Sequence, residues 1–118
     1  MKTIITMLAF LIASGFFAVA TPAFAEGGNG SVTIVSPKEG AVLTRAEDVI
    51  IEYEMTPGPK GDHVHFYVDG GNAGLLRKAK GSFNMTKLKA GKHVLTVKLV
   101  NAGHVPIGIE TSVNVTVK

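Results

Sequence analysis

Short β-rich runs, separated by turn residues at about every 8–12 positions, make up the chain from Val32 onwards. This spacing is typical of a sandwich or barrel of strands, and no helical periodicity interrupts it. The run 48–55 (DVIIEYEM) alternates cleanly, with Ile51 and Tyr53 on one face and Glu52 on the other. Such alternation predicts a strand with one buried and one solvated face. The chain is therefore predicted to be all-β.

About seven strands are expected, and a long loop is expected at 102–110. The strands are predicted at 32–35, 48–55, 63–69, 74–79, 82–88, 93–101 and 111–117. This number of short strands in roughly 90 residues is that of an immunoglobulin-like antiparallel β-sandwich.

The first 25 residues have the pattern of a cleavable export signal. Lys2 precedes a long apolar stretch, and Ala23-Phe24-Ala25 is a small-x-small cleavage sequence. We therefore predict a signal peptide at 1–25, a glycine-rich flexible leader at 26–31 and one domain at 32–118. Removing residues 1–25 of the 118 leaves 93, with no second apolar run long enough to span a membrane. The expected location is the periplasm or the exterior of a bacterium.

Composition removes several classes of function. The chain has no cysteine, which excludes disulfides, thiolate ligands and cysteine nucleophiles. No serine lies in a nucleophile motif and the carboxylates are scattered, so a non-catalytic protein is expected. Residues 70–109 hold no acidic residue but several lysines. This basic segment suits an anionic polysaccharide or a solvated face; nucleic acid is not expected for an exported domain without base-stacking aromatic motifs.

Four short motifs resemble the bacterial Ig-like domain family. They are Val-Thr-Ile-x-Ser-Pro-x-x-Gly at 32–40, Tyr-Val-Asp-Gly at 67–70, Leu-x-x-Gly-x-His at 88–93 and Val-x-Val-Thr-Val at 113–117. The resemblance implies the sandwich fold over nearly the whole exported chain, with His93 at a common fold position. The motifs are mostly turn chemistry, so they imply little about function. His63 and His65 depart from the family pattern.

His63 and His65 alternate with the apolar residues of their strand. Because Val64 and Phe66 must face the core, the two imidazoles are expected to project together from the outer face. Residues two apart on a strand lie about 6.5–7 Å apart at Cα, which allows both rings to reach one ion.

The predicted topology adds a third histidine. In an immunoglobulin-like sandwich the third and sixth of these strands pair antiparallel, so the start of 63–69 should lie beside the end of 93–101. His104 follows that end by three residues and should lie near His63 and His65. His93 begins the same strand and should lie at the opposite end of the sandwich.

Three imidazoles suit Cu(II), Zn(II) or Ni(II), so His63, His65 and His104 are the candidate metal ligands, with copper or zinc the expected ion. Asp62 is a candidate fourth ligand. Met55 would suit Cu(I), but its strand parity places it in the core.

Two alternatives remain open, and a third does not fit. The histidines could be ordinary polar residues of a strand face with no bound ion. The domain could instead be an interaction module for another envelope protein or a polysaccharide. Copper–zinc superoxide dismutase also carries His-x-His on a sandwich, but it needs more histidines and a disulfide, and this chain does not fit that class.

Overall fold

The computed structural model describes residues 30–118. The predicted signal peptide and residues 26–29 of the predicted leader lie outside this range. Residues 30–118 contain no helix that is long and apolar enough to cross a membrane.

Eight strands form two sheets. They are β1 Ser31–Ser36, β2 Val42–Leu43, β3 Ile50–Thr56, β4 His63–Val68, β5 Gly71–Leu76, β6 Lys80–Asn84, β7 Gly91–Val100 and β8 Pro106–Val117. One sheet has the order β1-β3-β6 and the other β2-β8-β7-β4-β5. The predicted antiparallel immunoglobulin-like sandwich is confirmed, with one short parallel pairing, β2 with β8, that the sequence did not predict.

The core lies between the two sheets and is built by the alternation predicted for β3. Ile51 and Tyr53 are buried, while Glu52 and Glu54, which alternate with them, are exposed. The buried apolar cluster draws on both sheets, from Val32 and Ile34 through Phe66, Leu95, Val97 and Leu99 to Val113 and Val115. Met55 belongs to this cluster, which confirms its predicted packing role.

The pairing of β4 with β7 sets the position of the histidines. The strands run antiparallel, with His63 opposite Val100 and Val68 opposite Leu95. The start of β4 therefore lies beside the end of β7, as predicted. His93 pairs with Val115 near the other end of the sheet.

Strand β5 begins earlier than predicted because the turn before it is tighter. Asp69 and Gly70 both have positive φ, 52° and 87°. Two central residues with positive φ make the two-residue turn that best matches strand twist. The chain therefore resumes extended structure at Gly71, not Gly74. Strand β6 also begins earlier than predicted, at Lys80.

The predicted loop at 102–110 is wrong over half its length, because β8 already begins at Pro106. Ile107 and Ile109 are partly buried against the core, continuing the alternation that leads to the buried Val113 and Val115. Gly108, which has a φ of 91°, lies at the exposed position between these two isoleucines. Only residues 101–105 separate β7 from β8, so they form a short hairpin turn.

Candidate metal centre

Three imidazoles converge at the end of the five-stranded sheet. Nε2 of His63, Nε2 of His65 and Nδ1 of His104 form a triangle whose three sides are each 3.1 Å. Among the described residues this is the one group of at least three His, Cys, Asp or Glu side chains whose ligand atoms cluster. We call it the histidine triad. The structure thus brings together the three histidines that the sequence singled out.

The triangle has the size that a bound transition metal requires. With metal–nitrogen bonds of about 2.05 Å, nitrogens about 2.9 Å apart subtend a right angle at the ion and nitrogens about 3.3 Å apart the tetrahedral angle. The observed 3.1 Å sides lie between these values. One ion can therefore contact all three nitrogens with normal bond lengths.

The ring orientations also fit convergence on one point. If each nitrogen faced a shared ion, with the ring centre about 1.15 Å behind it, the ring centres would lie about 4.8 Å apart. The observed separations are 4.7, 5.0 and 5.2 Å. A proton on one nitrogen would point between the other two and form only bent hydrogen bonds. A central cation would satisfy all three lone pairs.

Burial differs among the three histidines and corrects one expectation. His63 and His65 project from the face away from the core, as predicted, but they are buried, with 0% and 7% of their surfaces exposed. His63 is enclosed because the other two triad rings, Asp62 and Arg77 all come within 3.4 Å of its ring nitrogens. His104 is exposed. The cluster is thus set into the protein and opens to solvent at His104.

The Asp62 carboxylate contacts the His63 ring on the side away from the triad and lies apart from the three triad nitrogens. Its Oδ2 lies 2.8 Å from Nδ1 of His63, on the ring side away from the triad, and accepts a hydrogen bond from Arg77 Nη1 at 3.2 Å. A carboxylate in this position keeps the proton on Nδ1 and leaves the Nε2 lone pair for a metal. The expectation that Asp62 is a fourth ligand is therefore replaced by an orienting role.

The turn that carries His104 is tied by one side chain. Oδ1 of Asn101 accepts hydrogen bonds from the backbone N–H groups of Gly103 and Val105, at 2.9 and 3.0 Å. The N–H of His104 donates to the carbonyl of Asn101, and His104 adopts a φ of 67°. A non-glycine residue in this left-handed region is uncommon and needs support from its surroundings. The Asn-x-x-His spacing was the available signal for this arrangement.

Electrostatics favour a neutral His65. Burial lowers the pKa of His65 below its ordinary value, and the neighbouring His63, His104 and Arg77 lower it further. Nδ1 of His65 lies 3.4 Å from the side-chain amide of Asn72. An imidazole that stays unprotonated near neutral pH offers a lone pair to a metal.

His93 lies outside the triad, as the topology predicted, and has a different role. Its Nδ1 lies 2.6 Å from Oδ2 of Asp69, and its Nε2 lies 2.7 Å from the Lys89 carbonyl. Oδ1 of Asp69 accepts a hydrogen bond from the Val94 N–H. The hydrogen bond to Asp69 raises the pKa of His93, and those from Val94 and His93 lower the pKa of Asp69. This pair braces the turn between β4 and β5 against β7.

The Asp69–His93 pair should make stability depend on pH. The raised pKa of His93 contributes stability that is present below about pH 6.5 and is lost as the pH rises through the folded-state pKa. The lowered pKa of Asp69 contributes stability that is lost only as the pH falls through its own, lower value. Wild type should therefore exceed Asp69→Asn by about 0.5–1 kcal/mol more at pH 5.5 than at pH 9, a small value because Asp69 is half exposed. Urea unfolding at both pH values measures this, and an equal difference at both would contradict it.

Comparison with known proteins identifies the fold. Residues 31–97 match the model of the family described as bacterial Ig domain. The fibronectin(III)-like modules of CbhA from Clostridium thermocellum are 25% identical with a TM-score of 0.64, and the match covers 74% of this chain and 96% of that one. No curated protein matches the chain.

Two more distant structures share the fold alone. The CARDB domain of PF1109 from Pyrococcus furiosus, solved in complex with di-metal ions, is 18% identical with a TM-score of 0.52, and the match covers 83% of this chain and 95% of that one. The extracellular domain of BT4673 from B. thetaiotaomicron is 9% identical with a TM-score of 0.51, over 80% of this chain and 16% of that one.

The family match includes His63 and His65 but ends before His104. It therefore supports the sandwich fold and gives no information about the triad. It nevertheless spans more than half of the 118 residues. The chain belongs to the bacterial Ig domain family.

Proposed function

We propose that this protein is an exported, non-catalytic Ig-like domain that binds one transition metal ion, copper or zinc, through His63, His65 and His104. The observation that carries the proposal is the 3.1 Å triangle of ring nitrogens. Borderline imidazole donors favour Cu(II) and Zn(II) over hard ions such as Mg²⁺, which prefer oxygen ligands. The export signal predicted at 1–25 supports a location for this activity in the periplasm or outside the cell.

The arrangement around the triad supports a prepared site. The hydrogen bond between Asp62 and Nδ1 of His63 leaves the Nε2 lone pair of His63 facing the other two triad nitrogens. The Asn101 side chain fixes the turn that carries His104 by hydrogen bonds. Ligands held before the metal arrives lose less conformational freedom on binding, which favours affinity.

Metal titration tests the proposal directly. We expect the protein, freed of metal by chelator, to bind one equivalent of Cu(II) or Zn(II) in calorimetry and to ignore Mg²⁺. His93→Ala is the matched control, because it removes a histidine from the other end of the same sheet and should leave the stoichiometry and affinity unchanged. The metal proposal is wrong if the wild type binds no metal, or if His93→Ala weakens metal binding as much as loss of a triad histidine does.

A second candidate function rests on the outer face of the five-stranded sheet, far from the triad. Val94 is 39% exposed there, beside Lys92 in a shallow depression that Asn114 and Thr116 also line. Val42, which is 63% exposed, pairs with Thr116 on the neighbouring strand. An apolar patch next to a lysine suits contact with an envelope protein or a polysaccharide. Retention of the protein on cell-wall polysaccharide that chelator does not reverse, and that Val94→Asp abolishes, would support this function instead.

A further inference from the structure

The described chain brings three donor atoms to the triad and no fourth. In residues 30–118, no further His, Cys, Asp or Glu completes the cluster formed by the three ring nitrogens. Asp62, the nearest carboxylate in sequence, is occupied by His63 Nδ1 and Arg77. Met55 is buried in the core between the sheets, whereas the triad lies on the opposite face of β4. A metal held here would have three protein bonds.

Charge at the site favours an anion as a further ligand. Three neutral imidazoles bring no negative charge to a divalent ion, so its full charge would remain within the protein. Within residues 30–118, the one carboxylate that contacts a triad residue is that of Asp62, and the Arg77 guanidinium balances its charge at 3.2 Å. A buried or half-buried uncompensated charge is unfavourable, and binding a counter-ion relieves it.

Access to the ion is available from the side of the hairpin turn. His63 and His65 form the buried floor of the triad, and His104 at the tip of the 101–105 turn is exposed. Val105 beside it is also 55% exposed. A small ligand can therefore approach past His104 without any separation of the sheets.

We propose that the metal-loaded triad keeps an open coordination position that binds a small anion with an oxygen or nitrogen donor, such as a carboxylate, bicarbonate or azide. Three histidines with one exchangeable position are the ligand arrangement that lets a metal centre accept an external ligand. The inference rests on the proposed metal binding and goes beyond it, because a site closed by four protein ligands would bind the metal without binding the anion.

Azide titration of the Cu(II)-loaded protein tests this inference. We expect a saturable azide-to-copper charge-transfer absorption with one azide per copper, and a loss of that absorption when acetate is added in excess. His93→Ala should respond like the wild type. Copper retained on the protein is measured in parallel by gel filtration and metal analysis.

The outcomes separate the two proposals. Failure to take up copper overturns the metal site itself. If the protein takes up one copper but its absorption does not change at high azide, the open position is overturned and metal binding stands. The same conclusion follows if the absorption changes only when azide strips copper from the protein.

Discussion

His104→Asn should weaken Cu(II) binding by at least about 100-fold while leaving the fold intact. The change removes one of the three triad nitrogens that we propose hold the metal. Loss of a direct ligand should exceed the 10–100-fold loss typical when only a hydrogen-bond partner of a ligand is removed. Asparagine suits the position, because His104 has a φ of 67° and asparagine tolerates the left-handed region. Because His104 is exposed, the substitution leaves no cavity in the core.

Thermal unfolding gives the readout for both parts of this prediction. Without metal, His104→Asn and wild type should melt at similar temperatures. Copper in 100-fold excess over the dissociation constant should stabilise the wild type by about 2.7 kcal/mol and the variant far less. His93→Ala should keep the full copper-dependent increase. Wild-type copper affinity in His104→Asn would show that the exposed imidazole is not a ligand.

Phe66→Ala should destabilise the domain by about 3–5 kcal/mol, a large part of the roughly 5–15 kcal/mol by which folded proteins are usually stable. Phe66 is fully buried on the core face of β4. Its ring stacks on Phe83 from the other sheet, with centres 4.2 Å apart, and contacts the edge of Tyr53 at 5.3 Å. Gly74 makes room for this stack, since a Cβ there would lie 2.5 Å from the Phe83 ring. Removing Phe66 therefore leaves a cavity where the two sheets meet.

Urea unfolding of Phe66→Ala measures this loss. Val105→Ala is the matched control, because Val105 is apolar but 55% exposed and should change stability by less than about 0.5 kcal/mol. A loss below 1 kcal/mol in Phe66→Ala would contradict the aromatic stack as the link between the sheets.

Local pattern was sufficient for the fold and for the grouping of the histidines. Alternation in the run from 63 to 69 assigned His63 and His65 to the face away from the core, and the pairing rule for sandwiches brought His104 to them. Register in β4 and β7 then agreed with that rule, with His63 opposite Val100. These inferences succeeded because side-chain direction in a strand has a period of two, and because antiparallel neighbours place the start of one strand beside the end of the other.

The strand boundaries were harder to predict from the sequence. The move of β5 to Gly71 depends on the positive φ of Asp69, and the early start of β8 depends on the pairing of Pro106 with Val100. Both are settled by hydrogen bonds with a partner strand, which no local window of sequence contains.

The order of residues alone determined that this chain makes an all-β sandwich and that three of its four histidines gather at one end, since both follow from periodicity and topology. Only the tertiary structure decided that two of those rings are buried, that Asp62 and Arg77 stand behind His63, and that Asn101 ties the turn holding His104. The physical reason is the separation of the interacting residues along the sequence. Convergence of the ring nitrogens to 3.1 Å depends on side-chain positions set by contacts between residues up to 41 positions apart, and those contacts exist only once the sheets have formed.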